Sequence, residues 1–255
     1  MKSNLQAVVA ALKTARQRHQ QHDASGPELA LADCEEAYAV QSAMGRELGW
    51  WPGGVPRHWK TGGPGVDAVQ TSAPLPDRGV WAGPCDARAW PMHSRGVESE
   101  IALRLKTAVT PEQARDIDAG AARSLIGEMA VAIELVDFRW RQGMDAPELL
   151  KLADLQSHGA LVLGEWVPYA ARDWSAQQCR TWIGAQPEVL RQGSHSFGDP
   201  TLVLHRWLRH ATARFGTLAA GTVVTTGTWV GLLHAQPGDL VKVQFDGIGQ
   251  TSVQL

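Results

Sequence analysis

The stretch "VESEIALRL" (97–105) decides how this chain is read. Val97, Ile101, Leu103 and Leu105 mark a strand, yet Glu98 and Glu100 sit two apart inside it. Residues two apart on a strand share a face, so the two carboxylates point the same way. Like charges at that spacing repel, and burying them without a partner costs several kcal/mol. A solvated acidic face would explain them without any function, because charged residues are mostly exposed. A third carboxylate competes with that explanation. Glu134 lies in "VAIELV" (131–136), flanked by apolar residues as on a strand covered on both faces. A buried glutamate needs a cation. Three acidic oxygen donors with no convergent cysteine or histidine suit a hard ion, Mg2+ or Mn2+, rather than zinc. A structural ion pair is the alternative that the pattern leaves open.

Outward from these two strands the chain predicts an α+β fold. Helices gather at the N-terminus and strands dominate the C-terminal tail, which argues against a βαβ wound sheet. Leu5, Val8, Val9 and Leu12 form the stripe of an amphipathic helix. Asp33 stands three before Glu36, a capping-box pattern, and Ala37, Val40, Met44 and Leu48 follow as an apolar stripe that Gly49 ends. Residues 50–90, rich in Gly, Pro and Trp, read as loops with short strands. Thr110, Pro111 and Gln113 read as N-cap, first-turn proline and capping-box partner. Strands are expected over 129–138 and 159–167, a hairpin over 179–191 and a helix over 145–156. Asp199, Pro200 and Gly216 predict a helix with Asp199 as its N-cap.

The totals exclude several function classes. The chain has 255 residues and a net charge of −2, so nothing favours a nucleic-acid or membrane-surface partner. No apolar run approaches the ~18 residues of a membrane span. Three scattered cysteines without a C-x-x-C fit a reducing compartment, which predicts a cytoplasmic protein. Neither G-x-S-x-G, H-E-x-x-H nor a P-loop occurs.

Eight segments in order carry a resemblance. They are "EAYAVQ" (36–41), "WKTGG" (59–63), "LPDRGV" (75–80), "VESEIALRL", "AIELVDFR" (132–139), "LADLQSHGALVLG" (152–164), "GDP" (198–200) and the block 221–255. Together the chain resembles the 2-keto-4-pentenoate hydratase / 4-oxalocrotonate decarboxylase branch of the fumarylacetoacetate hydrolase superfamily. The resemblance implies a mixed β-roll core, 51–255, carrying the catalytic metal site, with a helical N-terminal region, 1–50, packed on it. It implies Glu98, Glu100 and Glu134 as ligands to Mg2+ or Mn2+, Lys60, Asp77 and Ser157 as catalytic residues, and Thr61 and Gly62 as substrate-binding. The implied substrate is a 2-oxo or 2-hydroxydienoic acid. The expected reaction is hydration of a 2-hydroxypenta-2,4-dienoate-like acid to a 4-hydroxy-2-oxo acid in aromatic catabolism. The metal would act as a Lewis acid and a positioned lysine as proton donor or acceptor, its pKa lowered beside the ion. Decarboxylation of a 4-oxalocrotonate-type diacid is the sister activity, with Arg57, Arg78 and Arg139 as candidates for the second carboxylate. Hydrolysis of an acylpyruvate and a non-catalytic assembly subunit complete the alternatives. Homo-oligomers are expected, with a sister decarboxylase or aldolase as a candidate partner.

The chain departs from the family pattern at the substrate end. The usual Lys-(Ile/Val)-Gly-Leu-Thr is Lys60-Thr61-Gly62-Gly63-Pro64 here, and Asp-Asn-Ala-Ser is Asp154-Leu155-Gln156-Ser157. His58, His158 and His195 fall in loop or motif segments; each reads as a solvated or satisfied spectator, with contact to substrate as the other reading. Trp50, Trp51, Trp59 and Trp81 read as packing or interface residues, with an aromatic substrate wall as the other reading.

Overall fold

Two sheets stack on one another, with helices on one flank. The computed structural model describes residues 2–65 and 68–255. The helices are α1 (Ser3–Arg18), α2 (Cys34–Leu48), α3 (Pro111–Arg115), α4 (Ala119–Ser124), α5 (Glu148–Ala153) and α6 (Leu204–Phe215). The larger sheet contains β1 (His58–Gly62), β2 (Thr71–Leu75), β3 (Val80–Ala82), β5 (Gly96–Leu105), β6 (Ile126–Val136), β7 (His158–Leu163), β8 (Val167–Pro168), β11 (Val223–Thr225) and β12 (Leu233–His234). Its main path runs β2-β1-β11-β5-β6-β7-β3. The second sheet runs β10 (Val189–Gln192), β9 (Gln178–Ile183), β13 (Leu240–Phe245), β14 (Gly249–Gln254) and β4 (Cys85–Asp86). Parallel pairs β1/β11, β3/β7 and β14/β4 interrupt otherwise antiparallel ladders, so both sheets are mixed.

Alternation along β5 and β6 separates two environments. Ile101, Leu103, Val131 and Ile133 face the second sheet and pack with Val241, Val243 and Val253 in the main core. Ser99 lies on that face too, and its hydroxyl meets the Thr181 hydroxyl of β9 at 2.6 Å. The opposite face holds a small core of Leu75, Ala102, Ala132, Leu161 and Val223. Glu98, Glu100 and Glu134 share that second face, because they are offset by even steps from Ala102 and Ala132. On the flank, α6 covers β1, where Trp207 and Phe215 meet Trp59 edge-on with ring centres 6.4 and 5.3 Å away. Trp59 is therefore core, one of the two readings the sequence leaves for it.

The N-terminal helices follow their stripes. Leu5, Val8, Val9 and Leu12 are all buried, against Val40 and Met44 of α2 and Leu150 and Leu152 of α5. Full burial of side chains of this size stabilises by about 1.5–3 kcal/mol each. Asp33 caps α2 by accepting the Glu36 N–H, and Gly49 ends it at φ 63°. Glu36 does not reach back to its own cap residue; it accepts from Ala32 N–H, Lys2 and Asn4. The Thr110/Gln113 capping box is complete in both directions.

Two expected helix boundaries move. The helix after Asp199 begins only at Leu204, because Asp199 spends its carboxylate on the Thr201 N–H and hydroxyl and on Arg123, making a turn first. The helix expected over 145–156 shortens to Glu148–Ala153, because Leu155, Gln156 and Ser157 all take left-handed φ of 53–60°. Among the described residues no helix is long and apolar enough to cross a membrane.

Candidate metal centre

The strand register assembles the three glutamates. Antiparallel pairing sets Glu98 directly opposite Glu134, and Glu100 opposite Ala132. Directly paired residues on one face lie with Cβ atoms ~5 Å apart, so the carboxylates converge. One oxygen from each of Glu98, Glu100 and Glu134 lies within 4.8 Å of the others. Glu100 and Glu134 are buried and Glu98 is half-buried. Glu100 is held by the Gly227 N–H at 2.9 Å. Gly227 has φ 122°, a conformation that a side chain would oppose.

Lys60 reaches this cluster from β1. Its Nζ donates to Glu134 Oε1 at 2.6 Å and to the Gln156 carbonyl at 3.3 Å. His158, which opens β7, sits on the other side of the same oxygen, Nδ1 to Oε1 at 3.1 Å. Glu134 Oε2 is buried and has no hydrogen-bond partner among the described residues. A buried carboxylate oxygen without a donor costs several kcal/mol unless a cation fills the place. Three carboxylates beside one ammonium leave two negative charges, the complement of a divalent ion. All-oxygen donors suit Mg2+ or Mn2+, and their spread approaches the span of two donors across an ion bound at ~2.1 Å. On these grounds the residues present fit such an ion.

The electrostatics follow from burial and from this imbalance. Burial pushes the Glu98 carboxyl up to about 7, and the Glu134 charge adds to it while Lys60 opposes. Burial, Glu134 and Glu98 push Glu100 up to about 8. Glu134 goes the other way: burial would raise it, but Lys60 and His158 outweigh burial and hold it low. For Lys60, burial works downward, yet the three carboxylates outweigh it and raise its pKa. That direction is opposite to the one expected from the sequence, which set a metal ion, not three carboxylates, as the dominant neighbour. Burial lowers the His158 pKa, outweighing the Glu134 contact that would raise it.

A cavity of about 300 Å³ opens onto this cluster. Lys60, Glu98, Gln156 and Ser157 line its polar side, and Phe138, Leu152 and Leu232 its apolar side. Ser157 is buried at φ 60°, the third of three consecutive left-handed residues. Non-glycine residues rarely hold that conformation, and a run of three is local strain fixed by its surroundings. Asp154, just before it, is the anchor: its carboxylate accepts from Arg139 Nε at 2.7 Å and Arg16 Nη2 at 2.8 Å.

Other residues singled out from the sequence lie elsewhere. Gly62 shares the Lys60 face of β1, two residues along. Thr61 points to the opposite face, buried, bonded to the Ser72 hydroxyl at 2.8 Å, the Thr71 carbonyl and the Gln70 amide. It is not brought to the carboxylates. Asp77 is exposed beyond β2 and pairs with His58 Nδ1 at 2.8 Å. His195 is buried beside the Thr226 hydroxyl at 3.4 Å. Arg139 is spent on Asp154 and Asp137, Arg57 on the Ala220 carbonyl, and Arg78 lies over Trp90; none lines the cavity. Lys151 does line it, and it bonds Glu148 and the Met144 carbonyl.

Sequence reasoning missed Gly227 and the contact of His158 with Glu134. A histidine directly after Ser157 carries no local sign of that contact, and a backbone N–H carries none in any sequence.

The family profile for fumarylacetoacetate (FAA) hydrolase C-terminal matches residues 80–255, more than half of the chain. The chain belongs to this family. Its curled mixed sheet is that family's fold, and Glu98, Glu100 and Glu134 fall within the matched span, whereas Lys60 and Asp77 precede it. Comparison with the curated proteins by sequence finds no match. Among solved structures, the chain is similar to 4-oxalocrotonate decarboxylase from Pseudomonas putida G7 complexed with magnesium and adipate. The TM-score is 0.82 at 18% identity, covering 98% of this chain and 96% of that one. The same enzyme complexed with calcium and acetate gives 0.82 at 17% identity, covering 100% and 98%. A 2-hydroxyhepta-2,4-diene-1,7-dioate isomerase from Mycobacterium marinum gives 0.57 at 18% identity, covering 78% and 74%. At these identities the likeness is one of fold.

Proposed function

We propose that this family member is a divalent-metal-dependent hydratase that adds water to a 2-hydroxypenta-2,4-dienoate-like acid, giving a 4-hydroxy-2-oxo acid. The observation that carries the reading is the buried trio Glu98, Glu100 and Glu134, with one Glu134 oxygen unpartnered and Lys60 beside it, on the wall of a cavity large enough for a small acid. The three glutamates would hold Mg2+ or Mn2+, which supplies Lewis acidity at the carboxylate and 2-oxygen of the substrate. Lys60 keeps its proton at Nζ, between Glu134 and the cavity, and serves as the donor to substrate carbon or oxygen. Ser157 orients substrate or water from the neighbouring wall, with Gly62 leaving space along β1. Asp77 acts through its pairing with His58, two residues from Lys60 on the same strand face. Phe138, Leu152 and Leu232 would take the unsaturated chain and exclude bulk water. The protein would work in the cytoplasm as a homo-oligomer, within aromatic catabolism.

A second reading rests on Lys151. It is a further cation lining the cavity and could meet the distal carboxylate of a diacid, which favours a 4-oxalocrotonate-type decarboxylase. The full-length fold likeness to such a decarboxylase supports the same reading. Both are tested by following ultraviolet absorbance of 2-hydroxypenta-2,4-dienoate and of 4-oxalocrotonate with Mg2+, with Mn2+ and with chelator. Metal-dependent loss of the dienoate with formation of 4-hydroxy-2-oxopentanoate supports the hydratase. Release of carbon dioxide from the diacid alone supports the decarboxylase, and turnover of neither removes both.

A further inference from the structure

The cavity beside the glutamates turns apolar away from Glu100. On β5 and β6, the pair that follows Glu98 and Glu134 on the same face is Gly96 and Val136. Two residues of antiparallel strand advance ~7 Å, about the length of a five-carbon acid. Gly96 leaves the space there to Leu232: a Cβ on it would stand 2.7 Å from Leu232 Cδ1 and 2.9 Å from Val136 Cβ. Phe138, Met144, Leu149 and Leu152 complete the apolar lining. Val136, Phe138 and Leu152 are buried, whereas Leu149 and Leu232 are half-buried and Met144 is 58% exposed. Contiguous apolar surface left uncovered in a concave site marks a place for a ligand.

No uncommitted charge stands on this wall. Lys60 and Lys151 are the cations that line the cavity among the described residues. Lys60 is held by Glu134. Lys151 Nζ donates to the Met144 carbonyl at 2.7 Å and to Glu148 Oε1 at 2.8 Å, so its charge is already matched by a carboxylate. The space is also generous. A volume of about 300 Å³ belongs with pockets of ~300–1,000 Å³ that hold drug-sized ligands, and a five-carbon acid underfills it.

We infer that the substrate carries an uncharged alkyl tail of about three or more carbons beyond its fifth carbon, seated against Val136, Leu149, Leu152 and Leu232. The inference rests on the proposed anchoring of a 2-oxo acid at the glutamates. It needs no particular reaction there. Each methylene moved from water onto this wall strengthens binding ~fourfold. A carboxylate at the same end would lose its hydration among these side chains, with Lys151 already engaged by Glu148.

The test is calorimetric titration of the full-length protein, saturated with Mn2+, using 2-oxopentanoate, 2-oxooctanoate and 2-oxooctanedioate as probes. 2-Oxooctanoate is expected to bind at least tenfold more tightly than 2-oxopentanoate and more tightly than the diacid. Leu149→Asn changes a half-buried side chain, so the fold should stay intact by circular dichroism while the preference for 2-oxooctanoate over 2-oxopentanoate falls at least threefold. Equal binding of the two monoacids, or an unchanged preference in folded Leu149→Asn, overturns the inference and leaves the anchoring at the glutamates standing. Tighter binding of the diacid overturns it in favour of a distal carboxylate. Binding of none of the three removes the anchoring itself and the tail site with it.

Discussion

Replacing Glu100 by glutamine should make metal binding and metal-free stability change in opposite directions. The amide keeps the size of the carboxyl and an oxygen that accepts the Gly227 N–H, now at 2.9 Å. What is lost is one negative charge. For the ion, a neutral amide replaces an ionised donor, and affinity for Mg2+ and Mn2+ should fall at least 100-fold, about 2.7 kcal/mol. For the metal-free protein the same loss is a gain. The Glu100 carboxyl is pushed from 4.5 to about 8 by burial and by Glu134 and Glu98, so above that pH its charge is held at a cost. One pKa unit is about 1.4 kcal/mol, and three or more units make the ceiling roughly 4–5 kcal/mol; with neighbours relaxing, a gain of about 2–4 kcal/mol at pH 8.5 is expected. Calorimetry with both ions and urea unfolding in chelator at pH 8.5 read the two effects. Unchanged metal affinity would refute Glu100 as a ligand. A glutamine variant less stable than wild type in chelator would refute the account of the uncompensated charge.

Three further outcomes are expected. Metal-free wild-type protein should lose about 2–3 kcal/mol of stability between pH 6.5 and 8.5, because unfolded glutamates have already released protons that folded Glu98 and Glu100 keep to about 7 and 8. The window lies above 6.5 because His158, His195 and His210 have lowered folded pKa values and add stability with rising pH only below that point. Urea titration across the range checks this, and saturating Mg2+ should abolish the decline. Lys60→Ala should lower turnover of the dienoate by ~10²–10⁴-fold with metal affinity nearly intact; steady-state kinetics beside calorimetry separates the two, and wild-type turnover would make Lys60 a bystander. Asp154→Ala leaves the Arg139 and Arg16 guanidiniums without their buried carboxylate and should cost about 3–5 kcal/mol in denaturant unfolding.

Much of the fold was legible because it is written in local periods. The stripe Leu5, Val8, Val9 and Leu12, the caps at Asp33 and Thr110 and the alternation in 97–105 each act within one element. The convergence of Glu98 with Glu100 was legible for the same reason, since both lie on one strand. Glu134 needed the register of β5 against β6, which the residues suggested only through its apolar flanks. Lys60 as a site residue came from family resemblance, and its pairing with Glu134, 74 residues away, was not foreseen. Alternation would also have turned Thr61 away from Lys60, but the Gly-rich surroundings hid that 58–62 is a strand. The helix after Asp199 started late because the carboxylate made a local turn and an ion pair with Arg123, competition that no helix-start rule weighs. His158 was passed over as a spectator because its meaning lies in a contact across β6 and β7.

The central claim is a divalent ion bound by Glu98, Glu100 and Glu134. The most direct measurement is anomalous diffraction from crystals of the full-length protein grown with Mn2+. The account predicts a strong peak among the three carboxylates, at ~2.1–2.2 Å from an oxygen of each, with Glu134 Oε2 among the donors. Crystals with saturating Mn2+, no peak at the trio and Lys60 still on Glu134 as the sole cation would contradict it.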